Sequence, residues 1–126
     1  MIKRKKQQLV IGIRSDAELS KEFLRAWKNA EKRKPSKDIR VHLYFDSLDT
    51  LWRKLTPRRT ELLQALRQKG PLSIRKLAAY LERDYKNVRI DIKELNHADL
   101  VKKTEDDLFM VPWDSIDLQI PLAIAS

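Results

Sequence analysis

An α+β fold is predicted for this chain by three features of its apolar pattern. Apolar residues alternate in two short segments of the N-terminal third, recur every three or four residues through the centre, and alternate again near the C-terminus. The 126 residues suit one domain with an appended arm, which excludes a large two-domain enzyme. With 42% hydrophobic residues and only 2 Gly and 5 Pro, wholesale disorder is excluded too.

The first strand is expected over Leu9-Val-Ile-Gly-Ile13, where Leu9, Ile11 and Ile13 alternate with Val10, Gly12 and Arg14. Ser15-Asp16 offers a cap for a helix over 17–34, with Leu19, Phe23, Ala26, Trp27 and Ala30 inward, stopped by Pro35-Ser36. Ile39, Val41, Leu43 and Phe45 alternate with Arg40, His42 and Tyr44, the pattern of a half-exposed strand. A crossover would make the two strands parallel, but periodicity alone leaves a separated packing open. Asp46-Ser47 can cap a short connecting helix carrying Leu48, Leu51, Trp52 and Leu55.

Thr56-Pro57 is a helix start, because Thr caps and Pro at the first helical position sacrifices no needed N–H. This helix turns Leu62, Leu63, Leu66 and Ala65 inward and ends at Gly70-Pro71. Ser73 caps a second helix over 74–82 with the stripe Ile74, Leu77, Ala78 and Leu81, where small Ala78 and Ala79 admit a close neighbour. Asp84 caps a third, with Val88, Ile92 and Leu95 inward and Lys86, Asn87, Arg89, Ile90 and Lys93 outward. Leu100-Val-Lys-Lys-Thr104, an acidic turn at Glu105-Asp-Asp107, and Leu108-Phe-Met-Val111 before Pro112 read as a hairpin. Three helices with a tight second connection, followed by a hairpin, predict a winged helix-turn-helix over 56–112. Residues 1–55 then form a strand-helix-strand unit for a dimer or partner contact. Residues 113–126 form a C-terminal strand, with Ile116, Leu118, Ile120 and Leu122 alternating and Pro121 confining it to an edge or end. That strand can add to the first unit or to a second chain.

Charge agrees with this division. The chain carries 27 Lys+Arg against 18 Asp+Glu, a formal +9, which favours polyanionic partners. Residues 1–55 are net +8, residues 56–103 net +6, and residues 104–126 net −5. The acidic tail is therefore expected to face protein rather than phosphate. No Cys is present, which removes disulfides, thiolate zinc sites and Cys nucleophiles, and fits a reducing cytoplasm. The basic start and the short run Leu9–Ile13 predict neither a signal sequence nor a membrane span.

Leu55-Thr-Pro-Arg-Arg-Thr-Glu-Leu-Leu63, Gly70-Pro-Leu-Ser-Ile-Arg-Lys-Leu-Ala78, Arg83-Asp-Tyr-Lys-Asn-Val88 and Asp91-Ile-Lys-Glu-Leu95 resemble a family of prokaryotic winged-helix transcriptional regulators related to the MarR group. The likeness runs over about residues 43–120, from Phe45-Asp-Ser-Leu48 through Val111-Pro-Trp-Asp-Ser-Ile116. It implies DNA binding, and some members resemble antitoxins encoded beside a toxin. Two departures stand out: Asp99 replaces a Gly usual at the turn into the wing, and Ile90 replaces a residue that is often basic. Asp tolerates a left-handed backbone better than most residues, and Ile can meet a thymine methyl or pack on a neighbour.

The candidate DNA-contacting set is Arg75, Lys76, Arg83, Tyr85, Lys86, Asn87, Arg89, Lys93, Lys102 and Lys103. Arg suits guanine and Asn suits adenine by paired hydrogen bonds, while Lys86 and Lys93 serve bases or phosphates. Arg75 and Lys76 open a helix whose positive end attracts phosphate, and Lys102-Lys103 sit near the base of the hairpin. The bland alternative is a solvated helix face. Arg58 and Arg59 oppose the dipole of their helix, which points either to an anionic partner or to plain solvation. Lys3–Lys6 is either a groove-following arm or a soluble chain start. His42 and His97 lie far apart, and Glu105-Asp-Asp107 reads as a soluble turn, so no metal site is expected. No nucleophile or phosphate-loop motif occurs, so neither an enzyme nor a cofactor is expected. The resulting expectation is a sequence-specific DNA-binding regulator, a repressor, acting as a homodimer on two half-sites and able to serve as an antitoxin. Rival readings are a toxin-neutralising interaction module and a non-specific DNA- or RNA-binding protein.

Overall fold

The computed structural model describes residues 6–14 and 39–122, and the chain is α+β. The helix expected over 17–34, with its cap and stop, the Lys3–Lys5 part of the basic arm, and residues 123–126 lie outside the described residues. Two compact units emerge, one formed by 1–51 with 114–126 and the other by 52–113.

In the first unit the described strands are β1 (Gln7–Ile13), β2 (Ile39–Phe45) and β5 (Ser115–Gln119), in the order β2-β1-β5. Both pairings are parallel, with Leu9 opposite Val41 and Ile116, and Ile11 opposite Leu43 and Leu118. The C-terminal strand thus joins β1 within the same chain, and β1 and β2 are parallel neighbours instead of packing separately. Alternation puts Leu9, Ile11 and Ile13 on one face with Val41, Leu43, Phe45, Ile116 and Leu118. The other face carries Gln8, Val10 and Gly12 between Arg40, His42 and Tyr44 on one side and Ser115, Asp117 and Gln119 on the other. Leu9, Val10 and Ile11 are all buried, as befits a central strand. Gly12 admits the Tyr44 ring, since a Cβ there would lie 3.1 Å from Tyr44 Cε1. Asp114 fixes the start of β5: its N–H donates to the Gln7 carbonyl at 2.7 Å, and its carboxylate accepts from Gln7 N–H at 2.7 Å.

Helix α1 (Leu48–Lys54) is capped by Ser47, whose hydroxyl accepts from Thr50 N–H at 3.1 Å. Of its expected apolar positions Leu51 is buried, whereas Trp52 is exposed.

The second unit contains α2 (Pro57–Lys69), α3 (Ile74–Leu81), α4 (Tyr85–His97), β3 (Lys102–Lys103) and β4 (Phe109–Met110). Thr56 accepts from Arg59 N–H at 3.2 Å and Ser73 from Lys76 N–H at 3.2 Å, as expected of caps. Asp84 occupies the cap position of α4 but makes no side-chain cap bond. Gly70 ends α2 at φ 80°, a left-handed conformation that glycine adopts without strain. Leu62, Leu63, Ala65, Leu66, Leu77, Ala78, Val88, Ile92 and Leu95 form the buried helical core, while Ala79, expected at a close contact, is exposed.

After α4 the chain turns at Asp99 with φ 65°. Leu100 N–H donates to Leu95 O at 2.9 Å and Asp99 N–H to Asn96 O at 3.1 Å, the paired bonds of a Schellman ending. Leu95 and Leu100 are both fully buried, supplying the apolar contact that accompanies this motif. Asp99 is therefore held left-handed, a conformation that Asp tolerates better than most residues. Strands β3 and β4 pair antiparallel, Lys102 with Met110 and Lys103 with Phe109. Phe109 also exchanges both backbone bonds with Leu72, at 3.0 and 2.8 Å, tying the hairpin to the α2–α3 connection. Trp113 ends this unit rather than beginning the tail: it is buried, and its indole N–H donates to Leu100 O at 3.0 Å.

Candidate nucleic-acid interface

Helix α4 supplies the candidate surface because its inner face is wholly used. Val88, Ile92 and Leu95 are completely enclosed, so the opposite side must face solvent. Lys86, Ile90, Lys93 and His97 recur at spacings of four, three and four, which puts them in one stripe along the middle of that side. Ile90 is 57% exposed between two lysines. Arg89 and Asn87 flank the stripe on opposite sides, separated by about 160° at 100° per residue. Sequence reasoning grouped Lys86, Asn87 and Arg89 as one reading set. The helix geometry instead makes Lys86, Ile90 and Lys93 the centre, with Asn87 and Arg89 at the edges.

Tyr85, the first residue of α4, brings the start of α3 into the same surface. The Arg75 guanidinium lies 6.0 Å from its ring centroid, so Arg75 and the first turn of α4 share one exposed patch. Lys76 is exposed beside Arg75, and the backbone N–H of Lys76 is already taken by the Ser73 cap. Lys69 lies over exposed Tyr80 at 4.7 Å, a pairing the sequence did not suggest.

Arg83 does not join this surface. Its Nη2 donates to Asp91 Oδ2 at 2.7 Å, while Arg59 Nε donates to Asp91 Oδ1 at 3.0 Å. The three side chains are only 14–19% exposed. Arg59 further donates to the carbonyls of Arg53 and Lys54 at 3.2 and 3.0 Å, fastening α1 to α2. Its adverse position on the α2 dipole is thus compensated inside the chain, by a carboxylate of α4 and the end of α1. Arg58 remains exposed.

Lys54 hydrogen-bonds Glu94, and that charge-assisted bond holds the Glu94 carboxyl below its ordinary range. Two cationic groups are therefore distinguishable. Arg59, Arg83 and Lys54 are tied to acidic residues of α4. Lys76, Lys86, Arg89 and Lys93 are exposed, and among the described residues their side chains have no ion-pair or hydrogen-bond partner.

The hairpin lysines fall between these groups. Lys102 lies 3.6 Å from Asp99 and Lys103 3.2 Å from Asp107, both in open solvent where such pairs exchange readily. The acidic turn thus restrains one of the two cations it borders. Asn96 extends from α4 to the hairpin, donating to Val101 O at 2.8 Å, and Arg67 donates to Val111 O at 3.2 Å. The first bond fixes the hairpin relative to α4 and the second relative to α2.

His97 ends the α4 stripe, and His42 stacks on Tyr44 at 6.1 Å in β2. No helix of the described residues is long and apolar enough to cross a membrane.

Residues 54–118, just over half of the chain, match the model of the HVO_A0114 family. The matched span takes in α2, α3, α4 and the hairpin, and most of β5. No curated protein and no solved structure matches the chain.

Proposed function

We propose that this chain, which belongs to the HVO_A0114 family, is a sequence-specific DNA-binding transcriptional regulator whose helical unit is a winged helix-turn-helix. The reading rests on one observation above all: α4 presents Lys86, Arg89 and Lys93, without ion-pair partners among the described residues, around exposed Ile90, while Lys54, Arg59 and Arg83 beside it are engaged by Glu94 and Asp91. Unspent cations in a stripe suit phosphate and base edges, and an apolar residue among them suits a thymine methyl in the major groove. Helix α4 has 13 residues and spans about 20 Å, enough to lie in a major groove about 12 Å wide.

Helices α3 and α4 follow one another across residues 82–84, and the β3-β4 hairpin comes directly after α4. That order supports a recognition helix followed by a wing. Arg75 and Lys76 hold phosphate beside the groove, with Lys102 and Lys103 at the wing. The likeness of 55–63 and 70–78 to winged-helix regulators supports the same reading, and repression follows where the bound site overlaps a promoter.

Selection of bound fragments from random duplex DNA at one near-physiological salt concentration tests the proposal. A consensus is expected. Lys86→Ala and Arg89→Ala should each weaken binding to it by about 1–3 kcal/mol. Ile90→Ala should relax preference at a thymine step and leave the salt dependence unchanged. Binding without a consensus but with a steep salt slope, or equal affinity for single-stranded RNA, overturns the proposal.

A further inference from the structure

We infer that His97, as imidazolium, binds a DNA phosphate at the far end of α4, so that the chain holds duplex DNA more tightly as pH falls through the range in which histidine titrates. This contact rests on the DNA binding proposed above and adds a residue to it. His97 is the last residue of α4 and is exposed. At 100° per residue its direction from the helix axis lies within about 20° of Lys86 and Ile90 and about 40° of Lys93. It therefore belongs to the middle of the exposed stripe, not to a flank.

His97 lies about 16 Å further along the axis than Lys86, at 1.5 Å per residue. A major groove is about 12 Å wide and winds around the duplex, whereas the helix is straight. Seated with Lys86 and Ile90 against base edges, α4 carries its other end out toward the sugar-phosphate backbone. Phosphate oxygen is thus the group that His97 meets there. A neutral imidazole offers one N–H donor, whereas imidazolium offers two donors and a full positive charge.

The acids near His97 are already matched by cations. Lys93 and Glu94 precede it by about one turn of α4, and Asp99 follows it. Glu94 hydrogen-bonds Lys54 of α1, and Asp99 lies 3.6 Å from Lys102 of β3. The Glu94 carboxyl is held below its ordinary value of 4.5, first by Lys54 and then by Arg59 and His97, so it stays ionised while histidine titrates. Among the described residues His97 itself has no hydrogen bond or ion pair. Its proton therefore adds a surplus positive charge to a stripe that already holds Lys86 and Lys93. The chain has one other histidine, His42 in β2.

The test compares full-length wild type, His97→Gln and His97→Lys on the consensus duplex obtained by selection, by fluorescence anisotropy from about pH 8 to about pH 5.5. Wild type should bind about fivefold more tightly at the acidic end, the upper range for one exposed charge pair. His97→Gln should be nearly flat and weak, and His97→Lys nearly flat and tight. The slope of log affinity on log salt should steepen by about 0.9 on acidification in wild type and in neither variant, because one more phosphate is neutralised. A histidine that served only the end of α4 would move the urea midpoint and leave that slope alone. His42→Gln should keep the wild-type profile. Failure to select any consensus overturns the proposed DNA binding and this contact together. With a consensus in hand, a wild-type profile that matches His97→Gln, a salt slope indifferent to pH, or a pH dependence that vanishes in His42→Gln overturns this contact alone.

Discussion

Residues 52–113 enclose the inner faces of their helices, with Leu62, Leu66, Leu77, Val88, Ile92 and Leu95 at 1% exposure or less. The described strands differ: Leu9 and Ile11 are as deeply enclosed, yet Ile39, Val41 and Leu118 on the same apolar face stand substantially in solvent. The helical unit has thus matched its apolar pattern to its own interior, leaving its exposed side free for charge. The described strands leave part of their apolar face in solvent. A unit of the first kind can hold a charged surface on a rigid support, as the proposed DNA binding requires, whereas one of the second kind keeps apolar area that a neighbour could cover.

The largest effect should come from opening the closed unit. Ile92→Ala leaves a cavity under α4 and should cost about 2–5 kcal/mol in urea unfolding. Leu118→Ala, on the partly open face of the sheet, should cost no more than about 1 kcal/mol. Equal losses at the two positions would erase the contrast between the units.

Next in size is Asp91, which sharpens the comparison because it sorts the cations of the helical unit. Asp91→Ala leaves Arg59 and Arg83 without their shared carboxylate. Because all three side chains are mostly but not wholly enclosed, a loss of about 2–4 kcal/mol is expected. Arg83→Ala should likewise reduce stability, whereas Lys93→Ala should leave the urea midpoint nearly unchanged and affect only the proposed DNA binding. A destabilised Lys93→Ala protein would place that side chain in the scaffold and not in the interface.

The division between scaffold and surface was legible in part from the residue pattern. Val88, Ile92 and Leu95 at helical spacing predicted the inner face of α4, and with it the exposure of Lys86, Asn87, Arg89, Ile90 and Lys93. Arg83 was assigned to the surface because its neighbours in sequence are there. Its partner Asp91 lies 8 residues onward, inside α4, and Arg59, the other partner, is 32 residues from Asp91. Such pairing depends on tertiary placement, which local periodicity does not encode. Leu72 meeting Phe109 is hidden for the same reason, since a single bridged residue has no alternation to reveal it. Asp99 was legible only through the resemblance, as the residue standing where a Gly is usual, and because Asp tolerates the left-handed backbone that it adopts. Trp113 was misassigned to the tail because its anchor, a hydrogen bond to Leu100 O, leaves no mark in the spacing of apolar residues.

Smaller effects separate caps that bond from one that does not. Thr56→Ala and Ser73→Ala should each cost about 1 kcal/mol, since each hydroxyl accepts a helical N–H. Asp84 makes no such bond, so Asp84→Ala should cost less than either, leaving only the favourable charge at the start of α4. A loss at Asp84 as large as that at Thr56 would show that the cap forms in solution.

The smallest effect concerns the bond that links α1 to the flank of α4. Lys54 holds the Glu94 carboxyl below its ordinary value of 4.5, first by its hydrogen bond and then by its charge. A carboxyl whose pKa is lowered by folding stabilises the native state while the unfolded chain is also ionised, above pH 4.5. That contribution fades as pH falls below 4.5 and through the lower folded value, because the native state must then give up its ionised form. Wild type should therefore exceed Glu94→Gln in urea midpoint at neutral pH, and the two should converge as the solution becomes strongly acidic. Solvent reaches both side chains, so the gap should be small and should shrink in high salt. A gap that widens on acidification would reverse the sign of this linkage, and one unaffected by salt would mean that Glu94 contributes through packing instead of charge.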